Sequence, residues 1–371
     1  MKRQNLVLYR KYRPRTFSEI VGQEHIVQTL TNAIVEGMVS HAYLFAGPRG
    51  TGKTTIARLL AKSLNCLNRK EKEFEPCNKC SSCLEIEQGR AIDLMEIDAA
   101  SHRGIDEIRE LRDGIRFSPT KSKYKVFIID ECHQLSKDAA NALLKTLEEP
   151  PSHAIFILAT TEIHKMIPTI VSRCQRFDFR KLTAQEIVKK LKNIVQKEKI
   201  KVEEEALNLI ALNSDGSIRD AESFLDQAIT FAGEEGIIKT EDVRNLLGVV
   251  EMSLVSQFVD FLAQKDSKGA IDFLDKVLQK GYDPYEFSKT LINYLRQLLI
   301  LKVSSNFKDP LVAGFTKEEK EKFREQLKLF QESSLYEILN NFLEAQARMR
   351  YSPIPQLPLE LAIVESIDLK K

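Results

Sequence analysis

The 371-residue sequence is short of several things. It holds no run of about eighteen apolar residues, which argues against a membrane-spanning helix. Its first thirty residues carry no apolar signal-peptide core, so the expectation is a cytoplasmic chain rather than a secreted or membrane-bound one. An excess of either charge is also missing: 55 Lys and Arg stand against 53 Asp and Glu, a formal net charge of +2. Whole-chain charge therefore does not announce a nucleic-acid binder, and only a local basic face is left open. Low-complexity tracts and internal repeats are absent. Cysteine is scarce, six in all, and in a reducing compartment these are expected as metal ligands or buried thiols rather than disulfides.

What is present begins with length, enough for two or three domains. Between Ala42 and Phe179, short apolar runs alternate with helical patterns: Tyr43 to Ala46, Leu94 to Ile97, Val126 to Ile129, Ile155 to Ala159 and Phe177 to Phe179. That alternation predicts an α/β fold with a parallel sheet, its strands covered on both faces. Ser136 is placed to cap a helix with an apolar stripe of Ala139, Ala140, Leu143, Leu144 and Leu147. Beyond Arg180 the strand signal stops. Thr183 with Glu186, and Ser217 with Asp220, read as capping boxes. The expected organisation is an α/β domain over 1–180, a small helical domain over 181–243 and an all-α domain over 244–371. Breaks in the last are expected at Gly281 to Pro284 and from Ser352 to Pro358.

Chemistry concentrates first in Gly47-Pro48-Arg49-Gly50-Thr51-Gly52-Lys53-Thr54, which lies between an apolar strand and an amphipathic helix. The glycines let successive N–H groups and the helix N-terminus converge on phosphate oxygens. Lys53 adds charge for the outer phosphates, and the Thr54 hydroxyl suits magnesium, so the segment predicts a bound nucleoside triphosphate. The strand from Val126 ends in two carboxylates, Asp130 for the magnesium shell and Glu131 to polarise an attacking water. Asp130-Glu131-Cys132-His133 is similar to the box that names some helicases, yet a second motor lobe is not recognisable. Thr160 and Thr161, at the end of the next strand, are placed to sense a terminal phosphate, and either reads equally well as a turn cap. Arg173 suits stabilisation of a transferring phosphoryl group, although alone it reads as readily as a surface cation. Arg219 occupies a first helical turn, where acids are usual, and is placed to reach a nucleotide.

Cys66, Cys77, Cys80 and Cys83 form a thiolate quartet within one short excursion, the pattern of a closed, structural zinc site at about 66–83. Cys132 and Cys174 read as small apolar residues. His25, His41, His102, His133, His153 and His164 form no spaced metal motif, and none is assigned to catalysis. Arg10, Lys11, Arg13 and Arg15 read either as phosphate or base contacts or as a solvated basic segment.

Taken together, the phosphate loop, the cysteine quartet, Asp130-Glu131, Ser172-Arg173-Cys174 and Gly216-Ser217-Ile218-Arg219-Asp220 resemble the gamma/tau subunits of bacterial DNA polymerase III. Tyr12-Arg13-Pro14, Val21-Gly22-Gln23-Glu24-His25 and Leu147-Glu148-Glu149-Pro150-Pro151 extend the likeness over most of 5–235. The resemblance implies an AAA+ ATPase with a nucleotide core, a helical lid and an oligomerising collar, acting as the motor subunit of the clamp loader. Its implied partners are delta, delta prime and further gamma/tau subunits, the ring-shaped sliding clamp and primed-template DNA held through its backbone. It implies ATP, Mg2+ and Zn2+, catalytic roles for Lys53, Glu131 and Arg173, and sensor roles for Thr160 or Thr161 and for Arg219. Arg173 becomes the finger that completes a neighbouring subunit's site, making hydrolysis depend on assembly. The polymerase active site itself belongs elsewhere in the holoenzyme. The longer family form carries further domains that bind the helicase and polymerase; this sequence ends before them and reads either as the short form or as part of the longer one, which leaves polymerase tethering open. Two rivals are a related AAA+ loader or branch-migration motor, where the quartet is out of place, and a non-hydrolysing subunit, which has no need of Lys53, Thr54 and Glu131.

Overall fold

β-branched and aromatic runs with no interior charge make strands that tolerate burial on both faces. In the computed structural model three such strands, β1 (Ala42–Ala46), β3 (Lys125–Asp130) and β4 (Ala154–Thr160), are flanked by the more polar β2 (Leu94–Asp98) and β5 (Gln175–Asp178) in one parallel sheet. Their spatial order is β2-β3-β4-β1-β5. The structure describes residues 6–101, 114–115, 117–233, 236–248, 250–304 and 317–367. His102 lies outside them. The chain divides into two compact units, Met1–Val243 and Arg244–Lys371.

In the first unit, side chains alternate across the sheet as the pleat requires. Tyr43, Phe45, Val126, Ile128, Ile155 and Ile157 face α2 (Glu24–Glu36) and α3 (Lys53–Leu64). Leu44, Phe127, Ile129, Phe156 and Leu158 face α5 (Lys137–Glu148), with Phe127 and Phe156 stacked at 5.3 Å between centroids. The short helix α1 (Leu8–Lys11) packs on the helix Ile218–Ala232, α4 (Ser81–Glu87) on α3, and the later short helix α6 (Pro168–Val171) on α5. Each fully buried Leu, Ile or Phe contributes about 1.5–3 kcal/mol, and most such residues of the sheet lie on its three central strands.

Two sequence expectations need correction here. The sheet's edges are not covered on both faces: Gln175, Arg176 and Asp178 of β5 are exposed, and Phe179 lies past the strand's end. An edge strand has one solvated side, which accepts polar residues, so an apolar run misplaces its start. The expected box at Ser217 is also only half formed. Ser217 Oγ accepts from the Asp220 amide at 3.2 Å, but the Ser217 amide donates to Ser214 O at 2.8 Å, leaving nothing for the shorter Asp220 side chain.

The capping box of α7 (Ala184–Glu198) is complete, with Thr183 and Glu186 each accepting from the other's amide. With α8 (Glu204–Asn213) and α9 (Ile218–Ala232), this helix forms a small helical layer joined by an isolated bridge between Val202 and Ile238. Ser136 Oγ caps α5 by accepting from the Ala139 amide.

The short helix α10 (Thr240–Leu246) crosses the division between units. The second unit is all helical among its described residues: α11 (Met252–Gln264), α12 (Ser267–Gln279), α13 (Pro284–Ser304), α14 (Lys317–Leu329), α15 (Glu332–Met349) and α16 (Leu357–Ile367). Phe258 packs edge-on against Phe287 and Phe342 at its centre. A buried polar cluster is satisfied internally, Tyr294 donating to Gln326 Oε1 at 2.6 Å and Gln326 to Ser256 O at 2.9 Å. No single helix among the described residues is long and apolar enough to cross a membrane.

Candidate functional site

Parallel strands end on the same edge, so the residues after β1, β3 and β4 meet there. Ala46 pairs with Thr160 and Asp98 with Asp130, which aligns the phosphate loop beside the carboxylates and threonines. The loop needs its glycines for distinct reasons. Gly50 has φ +74°, and a Cβ there would lie 1.9 Å from Ser217 Oγ; a Cβ on Gly47 would lie 2.4 Å from the carbonyl oxygen of Phe179. Any other residue would push the loop off β5 and α9.

Lys53, 6% exposed, donates to Gly47 O at 2.7 Å and Pro48 O at 2.8 Å, while Thr51 Oγ1 donates to Pro48 O at 2.9 Å. Burial lowers the Lys53 pKa, and the nearby Glu131 and Asp130 oppose that shift. Thr54 Oγ1 donates to Asp130 Oδ2 at 2.6 Å, so the two oxygens proposed for one cation lie together. Glu131 sits in the left-handed region at φ 47°, a strained choice for a side-chain-bearing residue, and its amide donates to Asp130 Oδ1.

The two threonines differ. Thr161 donates to Glu131 Oε2 from both its amide (3.2 Å) and its hydroxyl (2.7 Å). Thr160, fully buried, has its hydroxyl 2.9 Å from His133 Nδ1 and accepts from the Glu162 amide at 3.0 Å. His133 Nδ1 also lies 3.4 Å from Glu131 Oε2, and Nε2 lies 3.5 Å from Glu162 Oε1. His133 is thus part of the network around Glu131, a role not read from the sequence. The signal was its position three residues after Asp130, on the turn that carries Glu131.

A pocket of about 490 Å³ is lined by Arg49 to Thr55, Asp130, Glu131, Arg219 and Glu222, among others. Arg13 and Tyr9 join its wall, and the Arg219 guanidinium lies 4.9 Å from the Tyr9 ring centroid, a cation–π stack that fixes its direction. Of the other basic residues near the start, Lys11 pairs with Glu198 and Arg15 with Glu87 at 2.8 Å. The pocket therefore presents amide and cationic donors beside two carboxylates, a set suited to a polyanion carrying a divalent cation. Arg173 stands apart. It bonds Glu148 Oε1 at 2.6 Å and Thr169 O at 2.9 Å and does not line this pocket.

The ligand atoms of Cys66, Cys77, Cys80 and Cys83 all lie within 4.8 Å of one another, with Cys77 and Cys83 sulfurs 3.9 Å apart. A tetrahedral zinc at about 2.3 Å from each thiolate needs sulfur separations of about 3.8 Å, so the quartet fits that ion. Burial would raise the Cys77 thiol, but amides of Lys79 (3.4 Å) and Cys80 (3.3 Å) aim at its sulfur and bring it down to about 6. Cys132 is buried and lies 3.4 Å from the Met166 sulfur, while burial raises the half-buried Cys174 to about 11. Neither belongs to the quartet.

Comparisons with known proteins follow this geometry along the chain. Residues 22–183 match the family described as DNA polymerase III, delta subunit. Residues 186–234 match the DNA polymerase III clamp loader subunit, ATPase lid domain, and 238–371 match DNA polymerase III subunits gamma and tau domain III. The DNA polymerase III subunit gamma of Buchnera aphidicola (subsp. Acyrthosiphon pisum) is 39% identical over 368 residues, covering 97% of this chain and 98% of its own length. The chain belongs to the gamma/tau family of bacterial DNA polymerase III subunits. The gamma/tau subunit of Mycobacterium tuberculosis is 38% identical over 358 residues, 96% of this chain. The tau subunit of Bacillus subtilis is 45% identical over 360 residues; that match covers 96% of this gamma/tau chain but 62% of the relative. Within the gamma/tau family match, the lid segment 186–234 contains Arg219 and Glu222, and the segment 22–183 contains the loop, both carboxylates and the quartet.

Proposed function

We propose that this gamma/tau chain is an AAA+ ATPase, the motor subunit of the replicative clamp loader, which binds and hydrolyses ATP to place the sliding clamp on primed DNA. The observation that carries the reading is the convergence of Lys53, Thr54, Asp130, Glu131 and Arg219 on one pocket. Gly47 to Thr54 hold the phosphates, and Thr54 and Asp130 ligate Mg2+, which neutralises charge on the transferring group. Glu131 polarises the attacking water. Thr160 or Thr161 senses the terminal phosphate, and of the two Thr161 has the direct bond to Glu131. Arg219 reaches the phosphates from the lid.

Arg173 serves a neighbouring protomer. Its distance from its own pocket and its tether to Glu148 support that assignment, since a cation delivered by a partner makes hydrolysis depend on assembly. The partners are delta, delta prime and further gamma/tau copies, with the clamp and primed-template DNA. The organisation is a core over 1–180, a lid over 181–243 and an oligomerising collar over 244–371. Cys66, Cys77, Cys80 and Cys83 hold a structural Zn2+, because four thiolates leave no coordination site for water.

The deciding experiment is steady-state ATPase of the purified chain, alone and with the other loader subunits, clamp and primed template. Turnover should be weak alone and rise by at least about tenfold in the assembly. Glu131→Gln should keep ATP binding while cutting turnover by about 100-fold or more. Full-speed hydrolysis by the isolated chain would overturn the role given to Arg173.

A further inference from the structure

The nucleotide reading gives roles to Lys53, Asp130, Glu131 and Arg219 but none to Glu222, which lines the same pocket. Arg219 and Glu222 are three residues apart on α9, so they share one helix face, and both line the pocket. Arg219 stacks on the Tyr9 ring, and Glu222 lies one turn further along the same wall. There the lining turns apolar, with Ile20, Val21, Leu182 and Ile218, the surroundings a flat aromatic base prefers.

Glu222 is only 5% exposed, yet among the described residues it makes no hydrogen bond and no salt bridge. Its oxygens are not among the fully enclosed atoms that lack a partner, so they keep access to the pocket space rather than being sealed in the core. The one cation that acts on it, Lys190, also lines the pocket but spends its ammonium on the Tyr12 carbonyl at 3.2 Å. Burial outweighs the Lys190 field and raises the Glu222 carboxyl to about 8. In either protonation state its carbonyl oxygen still accepts a hydrogen bond.

We infer that Glu222 is the base-reading residue of this pocket, accepting a hydrogen bond from the exocyclic amino group of adenine. The inference rests on the proposed nucleotide site and names the group that selects its base. A site built around a hydrogen bond discriminates strongly against an analogue that lacks the partner, because its own polar atom is then stranded.

The test is competition binding on the full chain with Mg2+, comparing ATP with purine riboside triphosphate, which lacks the amino group, and with N6,N6-dimethyl-ATP. Wild type should prefer ATP over both by about tenfold or more. Glu222→Leu should bring ATP and the purine analogue within about threefold of each other, and Glu222→Gln, which keeps a carbonyl acceptor, should retain the preference. Equal binding of the three nucleotides by wild type, which needs no variant to fold, would overturn the inference, as would an unchanged preference in Glu222→Leu. Failure of the site reading itself looks different: Lys53→Ala would then leave wild-type ATP affinity.

Discussion

The pocket and the cysteine quartet sit in the same unit and are assembled in opposite ways. The quartet takes all its ligands from 66–83 and needs little beyond one turn and the N-terminus of α4. The pocket draws on Tyr9, the loop after β1, the end of β3 and the helix of Arg219, so it exists only when sheet and helical layer are both folded. One centre is closed and local, the other open and long-range. The quartet's four sulfurs are brought together by one short stretch of chain, whereas the pocket's donors acquire their meaning from tertiary structure.

Perturbations can break or sharpen that contrast. The largest effect on binding belongs to Lys53→Ala: ATP affinity should fall by about 100-fold or more, measured by titration calorimetry, while metal analysis returns the same metal content as wild type. Next is the converse. Cys80→Ser, or chelation, should remove the zinc and lower the unfolding midpoint, because metal affinity is folding free energy for its module. ATP affinity should change less than about threefold; a collapse of both together would show that the two centres are not independent. Arg173→Ala should spare nucleotide binding by its own chain and slow ATPase of the assembled loader by about 10³-fold, by stopped-flow phosphate release. An equal loss in the isolated chain would place Arg173 in its own site after all.

The smallest effect concerns the helical layer. Arg180 donates to Glu186 at 2.7 and 2.9 Å and, ahead of the opposing effect of burial, holds its carboxyl down to about 2. A depressed carboxyl stabilises the fold above its ordinary pKa near 4.5, and that contribution is lost as pH falls towards 2. Glu186→Gln should therefore cost about 1 kcal/mol at pH 7 in urea unfolding, with the difference from wild type vanishing in strong acid.

Much of this was readable from the sequence because it depends on short range. Central strands announce themselves by unbroken apolar runs, and Gly47 to Thr54 specify their own loop. Thr183 with Glu186 likewise declares a helix start within four residues. The unreadable parts are those set by distant neighbours. Nothing local separates Thr160 from Thr161; it is the burial of one against His133 and the reach of the other to Glu131 that does so. Glu222 reads as an ordinary helical acid until α9 turns it into a pocket. The edge strand β5 misleads for the same reason, since its exposure is a property of the sheet's boundary and not of its residues.

The amide of Ile218 donates to the carbonyl of Gly50 at 3.2 Å, and Ser217 fills the space beside that glycine. The N-terminal end of α9 is thus tied to the phosphate loop. Any displacement of that helix relative to the loop has to break this bond or carry the loop backbone with it. Loop and helix share one mechanical link, a single hydrogen bond between two backbone groups.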